Sequence, residues 1–280
     1  MKTNRFRQMA AALLISTVLL PMGACSQDPG MMPASQPGMN AGRPGRGPGQ
    51  GLRAGPPADC AVLDASYAKG SLSAAEAEAI RYMREEEKLA RDVYLALDAK
   101  WNHQTFSHIA QAEQRHMDWT ACLLNRYSLE DPIAGLPAGT FRSPAMQALY
   151  DSLTAAGSEN LGQALHAGAF IEDLDLADLD ARLELADNAD VQAVFQTLAS
   201  GSRNHLRAFS RSLGRIGLAY APVYLSADAY AEILASPQES GELCGASCSQ
   251  YRRGTGGCAG NCPQQPGSGR GRGAGRGPRS

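Results

Sequence analysis

Phe106-Ser-His-Ile-Ala-Gln-Ala-Glu113-Gln-Arg-His116-Met-Asp-Trp-Thr120 is the stretch that decides the fold. Phe106, Ile109, Thr120, Leu123 and Tyr127 recur at steps of three and four, the period of a helix face turned into a core. Glu113 and His116 fill the two positions missing from that series. A carboxylate and an imidazole pointing inward would each forfeit several kcal/mol of hydration if left unpaired. A metal ion satisfies both at once, and Glu-x-x-His is a ligand pair that helical bundles place on a helix to hold two irons. The four-residue pattern alone is common by chance. Its position on the buried stripe gives it weight.

Working outward, the periodicity stays helical across one region, residues 68–235, a usual size for a single domain. Ser73-Ala-Ala-Glu76 is a capping box that opens a long helix predicted to reach about residue 100. The helix carrying Glu113 and His116 spans about 105–127 and stops before Asp131-Pro132. A loop with Gly135, Pro137 and Gly139 follows, and Ser143-Pro144 starts a short helix with proline in its favoured first position. Two more helices are predicted over about 159–185 and 190–213, the last ended by Gly214. No alternating strand pattern of useful length occurs.

Every long helix carries an ionisable residue on its apolar stripe. In the first, Ile80, Met83, Ala90, Val93 and Leu97 define the face and Glu86 lies near its centre, with Glu87 displaced toward the edge beside Tyr94 and Glu85 pointing away. In the third, Glu172 interrupts Leu161, Leu165, Gly168, Leu176, Leu179 and Leu183; in the fourth, His205 lies among Val191, Val194, Leu198, Phe209 and Leu213.

Arg84-Glu-Glu-Glu-Lys-Leu-Ala-Arg-Asp-Val-Tyr94, Ala112-Glu-Gln-Arg-His-Met117, Gly168-Ala-Phe-Ile-Glu-Asp173 and Gly201-Ser-Arg-Asn-His-Leu-Arg-Ala-Phe209 resemble the DUF2202 family of uncharacterised ferritin-like proteins over about residues 75–215. The resemblance implies an all-α, ferritin-like four-helix bundle with flexible N- and C-terminal extensions and a carboxylate/histidine metal site. It implies no particular reaction. The ferritin plan takes one Glu from each of two helices and Glu-x-x-His from each of the other two. Here the expected ligands are Glu86, Glu113, His116, Glu172 and His205, with Glu87 left open as the rival to Glu86 on the first helix, and Ser202 stands where the second Glu-x-x-His would have its carboxylate. Oxygen and imidazole donors suit iron or manganese, with zinc binding opportunistically. Three Glu and two His hold either two ions with added waters, or one ion well and a second weakly.

Plainer readings compete at single positions. Glu113 or His205 alone would be a satisfied core residue; convergence of five groups favours the metal. The run Glu85-Glu86-Glu87 fits a solvated face, with Glu85 reaching Lys88 and Glu87 reaching Arg91. His103, His108 and His166 read as surface residues, and Tyr82 and Tyr94 read as packing, with hydrogen bonding or a radical relay near a metal as their alternative role. Asp173, Asp175, Asp178 and Asp180 lack the glycine and spacing of a calcium loop and read as a solvated face.

The ends speak to location. Lys2, Arg5 and Arg7 precede an apolar run from Met9 to Leu20, the length of a signal-peptide core and short for a bilayer span. Met22-Gly-Ala-Cys25-Ser26 resembles a lipobox, so residues 1–24 are expected to be a lipoprotein-type signal peptide and Cys25 the acylated new N-terminus; plain cleavage near Ala24 is the rival. Residues 25–67 read as a Pro/Gly/Met-rich tether that cannot bury enough apolar surface to offset its ordering entropy, and 236–280 as a Cys-containing Gly/Arg-rich tail. A Gly/Arg tail could touch nucleic acid, but export makes that partner unexpected, and a net charge of −2 offers no steering. Besides Cys25 six cysteines remain, and an even number in an exported chain favours disulfides. Cys244, Cys248, Cys258 and Cys262 are expected to form two bridges, with a four-thiolate metal knob as rival. Cys122 lies opposite the Glu113 face. The chain thus reads as an outer-membrane-anchored or periplasmic metal protein of a Gram-negative cell, acting on oxygen, peroxide or the metal itself. The alternative is non-catalytic metal handling or a surface interaction role with a purely structural bundle.

Overall fold

The computed structural model describes residues 60–239 and 243. The expected signal peptide, Cys25 and the four tail cysteines lie outside the described residues. Among those residues the chain is all helical: α1 Cys60–Ser66, α2 Ala74–Trp101, α3 Gln104–Arg126, α4 Pro144–Gly157, α5 Leu161–Leu183, α6 Ala189–Arg215 and α7 Ala227–Ala235.

Local chemistry sets most boundaries. The capping box forms as the sequence predicts: Ser73 Oγ accepts from Glu76 N at 3.1 Å while Glu76 Oε2 accepts from Ser73 N at 2.9 Å. Asn102 ends α2 in the left-handed region, φ 48°, which asparagine tolerates better than most residues. Ser143, Asn160 and Ser226 cap α4, α5 and α7 with their side-chain oxygens.

Contacts between helix ends fix the directions. Trp101 Nε1 donates to the Gly157 carbonyl at 2.9 Å, so the chain enters α5 beside the end of α2. Glu76, at the start of α2, accepts the Asp187 and Asn188 N–H groups at 3.0 and 2.8 Å, beyond the end of α5. These two helices are therefore antiparallel. Thr105 and Ser212 share a 2.9 Å hydrogen bond at one end of the α3–α6 pair, and Arg126 Nε reaches Asp190 Oδ2 at 2.8 Å at the other. Neighbours around the bundle thus alternate in direction, while α3 and α5 run the same way. The chain between them, carrying α4, returns along the bundle as one long crossover.

The core runs down the middle through Ile80, Met83, Val93, Leu97, Phe106, Leu165, Leu198 and Phe209, all essentially sealed from solvent. Burying each such side chain stabilises the fold by about 1.5–3 kcal/mol. Tyr94 sits among them with its ring 6.3 Å from Phe106 and 5.2 Å from Phe209.

Several expectations are corrected. Glu85 is not on a solvated face: it is buried and accepts the Ser143 N–H at 2.9 Å, anchoring the start of α4. Lys88 pairs with Asp92 rather than Glu85, and donates to the Pro137 carbonyl at 2.9 Å, which pins the preceding loop. Asp173 and Asp175 are buried too: the segment after α6 covers Asp173, and Asp175 lies on the side of α5 near Glu172 and Ser202. Asp173 accepts the Tyr220 hydroxyl at 2.7 Å and the Val223, Tyr224 and Leu225 N–H groups at 2.6, 3.1 and 2.8 Å. The α1 helix falls inside the expected tether; Leu63 is buried, and a Cys60–Cys122 disulfide with a Cα–Cα distance of 5.4 Å fastens α1 to α3. No described helix is long and apolar enough to cross a membrane.

Candidate metal centre

Halfway along the bundle, α2, α3, α5 and α6 each turn a ligand-type side chain into the core. Two triads result, Glu87/Glu113/His116 and Glu113/Glu172/His205, with the ligand atoms of each within 4.8 Å of one another. Glu113 belongs to both. Its Oε2 lies 2.8 Å from His116 Nδ1, and its Oε1 lies 2.8 Å from His205 Nδ1. Each end is completed by one more carboxylate: Glu87 Oε2 is 3.1 Å from His116 Nδ1, and Glu172 Oε2 is 3.5 Å from His205 Nδ1. All five residues are buried, Glu113 being 1% exposed. A carboxylate sending one oxygen to each of two Glu/His pairs has the posture of a bridge between two cations.

Hydrogen bonding within the protein leaves this cluster incomplete. Glu87 Oε1, Glu113 Oε1 and His205 Nδ1 have no hydrogen-bond partner despite their burial. The Glu113–His205 contact is short but lacks hydrogen-bonding geometry. Buried polar atoms are nearly always satisfied, so three orphans at one point call for a further partner, and a cation fits that need. The residues present therefore suit a carboxylate/imidazole metal group.

Electrostatics of the metal-free cluster follow from burial and from mutual fields. Burial would lower His205, but the fields of Glu113 and Glu172 overcome it and raise it to about 10. His116 goes the same way: burial opposes protonation, and Glu87 and Glu113 prevail. Burial would raise Glu113, yet the two imidazoles flanking it hold it far below the usual carboxylate range. For Glu87 and Glu172 burial wins; both are pushed up to about 7, against the pull of their histidines.

The helices bring together four of the five expected ligands, Glu113, His116, Glu172 and His205. The fifth is corrected. The α2 carboxylate in the cluster is Glu87, whereas Glu86 is buried one position earlier with both oxygens unpartnered. Burial first, then the charges of Asp178 and Asp175, push Glu86 well above its ordinary pKa. Tyr94 both packs in the core and takes the alternative role of hydrogen-bond partner, donating its hydroxyl to Glu172 Oε1. Gly201, unremarked on the α6 stripe, faces His116. Its lack of a side chain is the only signal of that role in the sequence.

A cavity of about 350 Å³ between α3 and α6 reaches both histidines past Ala112 and Thr197, and opens among His108, Arg115 and Arg211. The centre is thus accessible to a small molecule from one side.

Fold and site together define an all-α bundle built around a buried carboxylate/histidine cluster. The sequence model of the DUF2202 family, described as an uncharacterized protein domain, matches residues 76–237, and the chain belongs to that family. It is 46% identical over 176 residues to the uncharacterized protein MJ0754 of the archaeon Methanocaldococcus jannaschii, covering 63% of this chain and 95% of that one. The crystal structure of hypothetical protein MJ0754 superposes with a TM-score of 0.61 at 45% identity, covering 62% of this chain and 99% of the other.

Proposed function

We propose that this chain is a ferritin-like dimetal protein that binds iron or manganese between its four long helices and carries out redox chemistry on oxygen, peroxide or the metal. The carrying observation is Glu113, which offers one oxygen to each of two Glu/His pairs. The single long crossover supports the reading, since ferritin-like bundles use one. Imidazole and carboxylate donors suit iron and manganese. When bound, such ions supply Lewis acidity and one-electron chemistry. The protein's own contributions are plainer. Glu87, Glu113 and Glu172 balance cationic charge, Tyr94 orients Glu172, and the α3–α6 cavity admits a small reactant.

We further propose that the protein is exported and held at a membrane through an acylated Cys25. The Cys60–Cys122 bridge favours an oxidising compartment of that kind. Element analysis of the isolated full chain, followed by peroxide and oxygen turnover assays, tests the function. Bound iron or manganese with turnover supports it. Bound metal without turnover identifies a metal-handling protein, and absence of metal leaves the bundle structural. Mass spectrometry of the exported N-terminus tests the anchor: an unmodified N-terminus contradicts it.

A further inference from the structure

Ser202 leaves the second Glu-x-x-His pair without its carboxylate, yet the structure provides a carboxylate beside that position from another helix. Asp175 lies one turn beyond Glu172 on α5, at the i+3 spacing that keeps both on the same helix face. It is 5% exposed, and neither of its oxygens meets a donor in full hydrogen-bonding geometry, the Ser202 hydroxyl lying beside it as its polar neighbour. The adjacent Ser202 hydroxyl donates instead to the Leu198 carbonyl at 3.0 Å. After burial itself, the strongest fields at Asp175 come from Glu87 and Glu172, the outer carboxylates of the two triads, and Glu113 contributes as well. Asp175 therefore lies close enough to both triads to feel their charge, on the side of α5 that carries Glu172. No described cation pairs with it; Arg203 and Arg207, buried on α6, pair with Glu239 at 2.6 and 3.0 Å.

A buried carboxylate without hydrogen-bond partners is costly unless it takes up a proton or a cation compensates it, and Asp175, unlike Glu86, shares its helix face with a member of the cluster, Glu172. Resting on the dimetal reading, we infer that Asp175 is a sixth metal ligand, which would supply from α5 the carboxylate absent at Ser202 of α6. The centre then has the carboxylate complement of the ferritin plan with its last member moved to the neighbouring helix.

The test compares full-chain wild type, Asp175→Asn and the exchange variant Asp175→Ser/Ser202→Asp, each stripped of metal and titrated with Mn(II), with helicity checked alongside. Asp175→Asn should weaken the second ion by about tenfold or more while the first is retained. The exchange variant conserves both volume and charge and returns a carboxylate to α6, so it should recover much of the second ion. Two ions bound by Asp175→Asn with wild-type affinity overturn the inference alone. A loss that the exchange variant leaves unrepaired makes Asp175 a packing residue and overturns it as well. A wild type that binds no Mn(II) fells the dimetal reading itself, and this one with it.

Discussion

Gly201 of α6 lies directly against His116 of α3: a Cβ at position 201 would come within 2.3 Å of His116 Nε2 and 2.6 Å of its Cε1. Glycine in a helix interior ordinarily costs about 1 kcal/mol relative to alanine. Here that cost secures the room in which the imidazole meets Glu87 and Glu113. Gly201→Ala should leave the bundle folded but displace His116, weakening metal affinity by about tenfold or more. Mn(II) titration beside a thermal melt checks this. Unchanged affinity would show that the ring position does not matter to binding.

Glu86 and Glu87 are adjacent and both buried, but only Glu87 contacts a histidine of the cluster. Burial and neighbouring acids favour the protonated, neutral form of Glu86, which glutamine imitates. Glu86→Gln should therefore keep metal stoichiometry, whereas Glu87→Gln should lose affinity at the His116 end. The reverse ranking in paired titrations would restore Glu86 as the ligand of α2.

The cluster predicts a strong pH dependence of binding. Without metal, His116 is held protonated well above its usual range and His205 up to about 10, while Glu87 and Glu172 take up protons below about 7. A cation must displace those protons, so affinity should rise with pH, steeply from 6 to 8 and further toward 10. Calorimetry in buffers of different ionisation enthalpy should register protons released on binding. Affinity that is flat from pH 6 to 8, or falls with rising pH, would contradict the assignment.

Tyr94 holds Glu172 through a hydroxyl buried between Phe106 and Phe209. Tyr94→Phe preserves the packing and removes the donor, so a buried carboxylate oxygen loses its partner at a cost of about 1–3 kcal/mol. The metal-free protein should melt lower, and the Glu172/His205 end should bind more weakly. A variant with wild-type melting and affinity would reduce Tyr94 to a packing residue.

Much of this architecture was legible in the chain. Steps of three and four around Phe106, Glu113, His116 and Tyr127 expose the α3 face, and Ser73-Ala-Ala-Glu76 announces the start of α2. Glu113, His116, Glu172 and His205 stand out because each breaks an apolar stripe. Glu87 was harder to place. One helix position is a rotation of 100°, and the width of the α2 stripe does not distinguish its centre from an edge that faces α3. Asp173 looks solvated because periodicity reports one buried face, whereas the segment after α6 covers a further side of α5; Asp175 looks solvated only because it alternates with other acids, although it stands three residues from Glu172. Gly201 and Tyr94 act through contacts between helices, Gly201 with His116 and Tyr94 with Glu172, and such pairings exist only after the bundle closes. The Cys60–Cys122 pair is of the same kind: parity predicts bridges, and only the fold chooses partners.

Metal content of the Glu113→Ala/His116→Ala double variant tests the central claim most directly. These two residues supply the shared carboxylate and one of the two imidazoles, and the surrounding apolar core is untouched. The full-chain wild type should bind at least one Fe or Mn ion per chain, and the double variant should bind none while keeping its helicity. Full metal occupancy in a folded double variant would contradict the account.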